Sequence, residues 1–206
     1  VGGVVESSKR PVAKIYRTLL DNPDYTSVVN ARHFQRINGY VDEARERGVE
    51  VVEINPANED FRQQSAHKIA PTFLIDPPED SAVMQDEIFG PVMPIKSYDT
   101  LDETVDYVNS HDRPLGLYYF GTDQQETDQV LGNTTSGGVT LNDVVMHVAQ
   151  EDLPFGGVGP SGMGSYHGED GFRTFSHAKA VFKQATFNPA EKLGLRPPYG
   201  EKLMGL

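Results

Sequence analysis

The chain has 206 residues, a formal net charge of −12 and no cysteine. Its length suits one large domain or two small ones, and 37% hydrophobic with 23% charged residues suits a globular fold. The negative charge would repel phosphates, which argues against nucleic acid as a partner. The lack of cysteine excludes a disulfide, a zinc–thiolate site and a catalytic thiol from this chain, and it fits a cytoplasmic protein. The sequence shows neither the ~18-residue apolar run of a membrane span nor the basic start of a signal peptide.

Helical and strand-like patterns alternate along the chain. The predicted helices cover residues 10–20, 31–47, 100–110 and 123–131. The predicted strands cover residues 49–54, 69–75, 92–96, 116–121 and 137–141. Gly48 is expected to end the second helix, and Thr100 with Glu103 forms a capping box at the start of the third. The alternation predicts an α/β fold with a mainly parallel sheet and flanking helices.

A glycine-rich stretch over residues 154–171 interrupts this pattern. Residues 157–162 fit the dinucleotide-binding spacing G-x-G-x-x-G, but no predicted strand precedes them and more glycine follows. We therefore interpret the stretch as a tight backbone path that glycine permits, and not as a dinucleotide loop. A last predicted strand over residues 180–187 precedes a proline-rich, irregular tail.

Two segments resemble motifs of the NAD(P)-dependent aldehyde dehydrogenases. They are Glu-Ile-Phe-Gly-Pro-Val at residues 87–92 and Pro-Phe-Gly-Gly-Val-Gly-Pro-Ser-Gly-Met-Gly-Ser-Tyr-His-Gly at residues 154–168. Gly-Gly-Val-Thr-Leu-Asn at residues 137–142 is also similar to the family. The Ser-Tyr-His-Gly ending resembles the class-3-like branch, which includes the coniferyl aldehyde dehydrogenases. The resemblance covers about residues 10–187.

The first motif implies a cofactor site. In the family, the glutamate of this motif binds the ribose hydroxyls next to the nicotinamide, and this role would fall on Glu87. A carboxylate can accept hydrogen bonds from two hydroxyls at once. The phenylalanine packs beside the nicotinamide ring, which is the place of Phe89. From the residue types alone, the preferred interpretation is that Glu87 caps a turn and Phe89 belongs to the core.

The later segments imply a substrate pocket. Asn142 ends a predicted strand, and the carboxyl ends of strands in open α/β sheets face the ligand crevice. In the family, the loop after this asparagine borders the aldehyde pocket, and the aromatic residue of the glycine-rich motif lines its entrance. The candidate pocket residues are Asn142, Val144, Val145, Met146, His147 and Phe155. Ordinary loop and core positions are the alternative for each of them. The histidines show no metal-ligand spacing, so no metal site is predicted.

The resemblance implies an enzyme that oxidises aldehydes to carboxylic acids with NAD or NADP. In the family, a cysteine thiolate attacks the aldehyde, hydride passes to the cofactor, and a glutamate-activated water hydrolyses the thioester. The cysteine, that glutamate, the oxyanion asparagine and the cofactor domain all precede the matched segments. We therefore expect residues 1–178 to be part of a catalytic domain and residues 179–206 to hold an oligomerisation strand and a tail.

On this interpretation the isolated chain is inactive, and its parent is a homodimer or a higher homo-oligomer acting on a small, aromatic, coniferyl-type aldehyde. A noncatalytic binding or scaffold module derived from the same fold is the main alternative. An unrelated α/β protein with chance matches is the third. A reading frame that continues upstream into a Gly-Gln-x-Cys segment would separate the first two.

Overall fold

A computed structural model describes residues 2–197 and residue 199 of the chain. It divides into two compact units, the first ending at Glu103 and the second beginning at Thr104. Along the described residues, no helix is both long and apolar enough to cross a membrane. The tail residues 198 and 200–206, part of the predicted oligomerisation region, lie outside the described residues.

The first unit contains a small mixed sheet. Its helices are α1 (Gly2–Ile15), α2 (Ala31–Glu46) and α3 (Ala82–Gln85), and its strands are β1 (Glu50–Glu53), β2 (Thr72–Ile75) and β3 (Val92–Ile95). The strand order is β1-β2-β3, with β1 antiparallel to β2 and β2 parallel to β3. The antiparallel pair arises because no helix lies between β1 and β2 to carry the chain back across the sheet.

The helix α2 forms where the sequence predicts it. The side chain of Asn30 accepts a hydrogen bond from the backbone N–H of His33 at 3.0 Å, which caps the first turn. Gly48 follows the helix with a φ of +75°, a backbone conformation that favours glycine. The inner face of α2 packs against the sheet through a core of buried residues: Ile37, Tyr40, Val41, Ala44, Leu74 and Val92.

The prediction for residues 10–20 is wrong at both ends. The helix α1 begins at Gly2 and ends at Ile15, with Pro11 inside it. Residues beyond it are held by distant side chains instead, because the carboxylate of Glu59 accepts hydrogen bonds from the backbone N–H groups of Leu19 and Leu20 at 2.6 and 3.0 Å.

The predicted strand over residues 69–75 is shorter than expected and begins only at Thr72. Before this point the chain makes other contacts, and the carbonyl of Ile69 accepts a hydrogen bond from the Tyr25 hydroxyl at 2.6 Å. The strand at residues 116–121 is likewise shorter and ends at Tyr119.

The second unit contains a parallel two-stranded sheet. The helix α4 (Leu101–Ser110) crosses the boundary between the units, and β4 (Gly116–Tyr119), α5 (Gln124–Asn133), β5 (Gly138–Leu141), α6 (Met146–Ala149), α7 (Gly168–Thr174) and α8 (Pro189–Lys192) follow. The strands β4 and β5 run parallel, as expected for a strand–helix–strand unit around α5. The strands thus form two separate small sheets and not the one sheet predicted, although the α/β class is confirmed.

The glycine-rich stretch follows the tight path predicted from its composition. A Cβ atom on Gly157 would lie 2.1 Å from the carbonyl oxygen of Ser161, so only glycine fits there. Gly162 has a φ of +144°, which also favours glycine. The short helix α7, which begins in this stretch and continues to Thr174, was not predicted.

Residues 180–187 form no strand in the structure. Their large apolar side chains are exposed, with Val181 at 79%, Phe182 at 86% and Phe187 at 61%. A strand needs a neighbouring strand to pair with, and within the described residues no strand pairs with this segment. Pairing with a second chain therefore stays a prediction.

Candidate functional site

The segment of residues 86–90, here called the Glu87 segment, connects α3 to β3 at the surface of the first unit. The side chain of Glu87 is exposed, and that of Phe89 is 75% exposed. Phe89 has a φ of +49°, which costs a residue with a Cβ atom roughly 1 kcal/mol or more. Strained backbone of this kind persists only where the surroundings hold it, and it is common at ligand sites.

Arg36 of α2 holds the backbone of the Glu87 segment. Its Nη1 donates to the carbonyl oxygen of Glu87 at 2.9 Å, and its Nη2 donates to that of Ile88 at 2.8 Å. Two successive peptide groups are thereby fixed by one planar guanidinium. The helix also approaches Gly90 closely, since a Cβ atom there would lie 2.5 Å from Cδ1 of the buried Ile37.

Tyr40 links Arg36 to the start of the segment. The Tyr40 hydroxyl accepts a short hydrogen bond from Nη1 of Arg36 and donates to Oδ2 of Asp86 at 2.8 Å. Burial, and after it the hydrogen bond to Asp86, raises the pKa of Tyr40, while Arg36 opposes the shift. The hydroxyl therefore keeps its proton at neutral pH and donates a hydrogen bond to the Asp86 carboxylate.

Phe89 also borders an open cleft of about 450 Å³ in the first unit. The other lining residues are Tyr25, Thr26, Ser27, Val28, Val29, Gly90 and Pro91. Its volume lies within the range of small-molecule sites, ~300–1,000 Å³. The ring of Phe89 thus lies at a concave surface, and the exposed carboxylate of Glu87 is two residues before it in the chain.

In the second unit, Asn142 joins the ends of the two parallel strands. Its Oδ1 accepts from the backbone N–H of Gly121, and its Nδ2 donates to the carbonyl of the same residue, both at 2.9 Å. Asn142 has a φ of +56°, which asparagine tolerates better than most residues. Both polar atoms of this side chain are therefore engaged in orienting the loop that follows β5.

His147 anchors that loop to the sheet. It is 6% exposed, and its Nδ1 lies 2.7 Å from the hydroxyl oxygen of Thr140 in β5. The same hydroxyl oxygen accepts the backbone N–H of His147 at 3.1 Å. The ring also packs on Gly138, where a Cβ atom would lie 2.5 Å from Cδ2 of His147. His147 is thus a buried anchor within the chain as it stands.

Three apolar side chains stand out from the anchored loop. Val144, Val145 and Met146 are each about half exposed. Val145 has a φ of +65°, which is highly unusual for a β-branched residue. The loop therefore presents a small apolar surface on a strained backbone, directly before the short helix α6.

Phe155 connects this loop to the glycine-rich stretch. Its ring centroid lies 6.0 Å from that of His147 and 5.4 Å from that of Tyr166. The backbones of Phe155 and Tyr166 exchange two hydrogen bonds of 2.9 Å. His167 stacks on Phe155 at 6.2 Å and has a φ of +86°. The structure therefore brings the candidate pocket residues of the second unit into one neighbourhood.

The sequence predicted neither Arg36 nor Tyr40 as part of a site. They lie at i and i+4 on one face of α2, a spacing equally typical of an ordinary surface pair. Their partners in the Glu87 segment lie 46 to 52 residues further along the chain. Among the described residues, no group of histidine and acidic side chains is arranged to hold a metal ion.

Comparison with known proteins shows which family the chain resembles along almost its whole length. A probable coniferyl aldehyde dehydrogenase of Caulobacter vibrioides is 62% identical over 201 residues, covering 98% of this chain and 41% of that protein. A coniferyl aldehyde dehydrogenase of a Pseudomonas species is 51% identical over 98% of this chain and 42% of that protein. A dimeric, NADP-preferring aldehyde dehydrogenase of Rattus norvegicus is 38% identical over 97% of this chain and 42% of that protein. The chain spans about two fifths of the length of these relatives.

The fold is shared with a solved enzyme as well. AldH of Staphylococcus aureus, solved in a substrate-bound state, superposes with a TM-score of 0.78 at 34% identity. The match covers 99% of this chain and 43% of that chain. Residues 5–181 match the aldehyde dehydrogenase family, and the chain therefore belongs to that family.

Proposed function

We propose that this chain is the distal part of the catalytic domain of an NAD(P)-dependent aldehyde dehydrogenase that oxidises aromatic, coniferyl-type aldehydes to carboxylic acids. The observation that carries the proposal is the Glu87 segment, where an exposed carboxylate and an exposed aromatic ring are held on a strained backbone. This segment lies in a chain that belongs to the family and is 62% identical to a probable coniferyl aldehyde dehydrogenase.

The residues of the segment fit a nicotinamide nucleotide. Glu87 would accept hydrogen bonds from the two ribose hydroxyls, and Phe89 would offer a flat apolar surface to the nicotinamide ring. The cofactor, when bound, accepts a hydride from the substrate. The contribution of this chain is to bind and orient it, because the thiol nucleophile cannot come from a sequence without cysteine.

The second unit would contribute the wall of the aldehyde pocket. Val144, Val145, Met146 and Phe155 supply apolar and aromatic surface suited to an aromatic substrate. Asn142 and His147 act mainly by fixing the loop, since their polar atoms are bonded to Gly121 and Thr140. The cofactor is NAD or NADP, and the location is cytoplasmic.

The parent enzyme is proposed to be a homo-oligomer, and one relative of this chain is described as dimeric. The proposed contact is residues 180–187, which would pair with a strand of another subunit. The exposed side chains of Val181 and Phe182 are the surface that such a contact would cover.

The substitution Glu87→Gln in the full-length protein tests the cofactor role. Glutamine keeps the size of the side chain but loses the charged acceptor, a loss of ~1–3 kcal/mol in binding. We expect weaker binding of NAD(P)+ in equilibrium titrations and slower hydride transfer to it with coniferyl aldehyde as substrate.

The control is Glu46→Gln, which neutralises an exposed glutamate at the end of α2. It should leave both measurements at the wild-type level. If Glu87→Gln also leaves them unchanged, Glu87 has no part in the cofactor site. A full-length protein that binds the cofactor but never turns over an aldehyde would instead favour the noncatalytic module.

A further inference from the structure

We propose that Arg36 is a positioning residue, which holds the Glu87 segment in the conformation that presents Glu87 and Phe89 to the cofactor. This inference rests on the proposed function of Glu87. Arg36 would act through the backbone and would not touch the cofactor itself.

The Arg36 guanidinium binds the backbone of the Glu87 segment at two points. Its two terminal nitrogens donate to the carbonyls of two successive residues, Glu87 and Ile88, at 2.9 and 2.8 Å. A planar fork that binds two acceptors fixes the orientation of both peptide groups. A lysine at the same place would present one point charge and could not define both planes.

The strained backbone of Phe89 needs support from its neighbours. The peptide planes of Glu87 and Ile88 lie immediately before Phe89, whose φ is +49°. On the other side, the close approach of Gly90 to Ile37 fixes the backbone after Phe89. A residue in this unfavourable region relaxes unless its neighbours hold it, so the clamp on both sides accounts for the exposed, left-handed Phe89.

Arg36 is itself held in place by neighbouring side chains. Its Nε donates to Nδ1 of His33 at 3.2 Å, and Nη1 contacts the Tyr40 hydroxyl. Tyr40 in turn donates to Asp86 at 2.8 Å. The guanidinium therefore has defined partners on α2 and on the segment, and its orientation does not depend on a bound cofactor.

A purely structural role would give a different result from a positioning role. If Arg36 only fastened α2 to the sheet, its loss would lower the stability of the whole unit and affect cofactor and aldehyde alike. If it positions the segment, its loss will raise local mobility at residues 86–90 and weaken the cofactor alone. The two can be separated in the full-length protein.

The experiment compares Arg36→Met, Arg36→Lys, Glu87→Gln and the control Arg45→Met in that protein. Arg45 lies on the same helix and forms only exposed ion pairs with Asp42 and Glu53. The measurements are equilibrium binding of NAD+ and NADP+, the KM for cofactor and for aldehyde, amide hydrogen exchange over residues 86–90, and the melting temperature.

We expect Arg36→Met to weaken cofactor binding by about tenfold and to leave the aldehyde KM near the wild-type value. Exchange over residues 86–90 should become faster without cofactor present. Arg36→Lys should lie between Arg36→Met and wild type, and Arg45→Met should match wild type in binding and exchange.

Three results would overturn the proposal. The first is wild-type cofactor binding in Arg36→Met when Glu87→Gln is weakened, which rejects the clamp but keeps the proposed function. The second is wild-type binding in both, which rejects the role of Glu87 and the clamp together. The third applies if the Arg36→Met protein fails to fold. In that case the Arg36→Lys protein decides, and wild-type cofactor binding and wild-type exchange over residues 86–90 in that variant reject the clamp.

Discussion

A single hydroxyl in the second unit satisfies two polar groups. The Thr140 oxygen lies 2.7 Å from Nδ1 of His147 and accepts the backbone N–H of the same residue at 3.1 Å. Both residues are buried. Replacing Thr140 with valine would keep the shape but leave the backbone N–H and a ring nitrogen without a partner. We expect Thr140→Val to lower the free energy of unfolding by ~1–3 kcal/mol, measured by chemical denaturation.

The matched control is Thr135→Val, because Thr135 is exposed and lies in the loop before β5. It should change the free energy of unfolding by less than ~0.5 kcal/mol. Equal stabilities for the two variants would show that the Thr140 hydroxyl does not anchor His147.

For single residues, the sequence predicts which residues belong to a motif. It does not predict which other residues fix the backbone of that motif. Glu87 and Phe89 could be proposed as site residues because the motif containing them is contiguous. Arg36 could not, because its role depends on bonds to carbonyls 51 and 52 residues away. Any carbonyl can accept such a bond, so no residue type in residues 86–90 identifies the partner. The positive φ of Phe89 could not be predicted either, because phenylalanine normally avoids this backbone conformation.

The elements were predictable where their ends are encoded locally. The helix α2 has a capping asparagine before it and Gly48 after it, and the prediction confirmed by the structure used the apolar spacing and that glycine. The region after α1 was mispredicted because its conformation is set from far away. The ammonium group of Lys68 donates to the carbonyls of Leu19 and Asn22 at 3.1 and 2.6 Å, which holds an irregular turn where the apolar spacing suggests a helix.

The segment of residues 180–187 is the element for which a partner is predicted but not present. Within the described residues it forms no strand, and the side chains of Val181, Phe182 and Phe187 are exposed. Unpaired strand-forming backbone favours association with another chain. A net charge of −12 opposes association, but salt screens it beyond ~8 Å. We expect the 206-residue chain to sediment as a dimer or a larger soluble species at physiological salt.

The comparison is a chain that ends at Ala178, which lacks the segment and should be monomeric or more weakly associated. The other possibility is a disordered tail on a monomer. If both chains are monomeric at tens of micromolar, the segment does not mediate association.

On the scale of the whole molecule, we expect the isolated chain to be catalytically inactive. It spans about two fifths of the length of its relatives and contains no cysteine. A hydroxyl without an activating base is a poor substitute for a thiolate. We expect no NADH formation when the purified 206-residue chain is incubated with NAD+ and benzaldehyde or coniferyl aldehyde.

The full-length protein in the same assay is the positive control. Activity of the short chain that survives repurification would contradict this expectation and would require a nucleophile other than cysteine. The scaffold interpretation would gain support if the full-length protein were also inactive.

The left-handed backbone at Val145 costs the fold stability. A β-branched side chain there is disfavoured by ~1–2 kcal/mol, whereas glycine would adopt the same φ of +65° freely. Phe89 has the same kind of backbone, with a φ of +49°. Both positions combine an exposed apolar side chain with a conformation that glycine adopts more easily, so a change to glycine at either one would relieve backbone strain and remove apolar surface together.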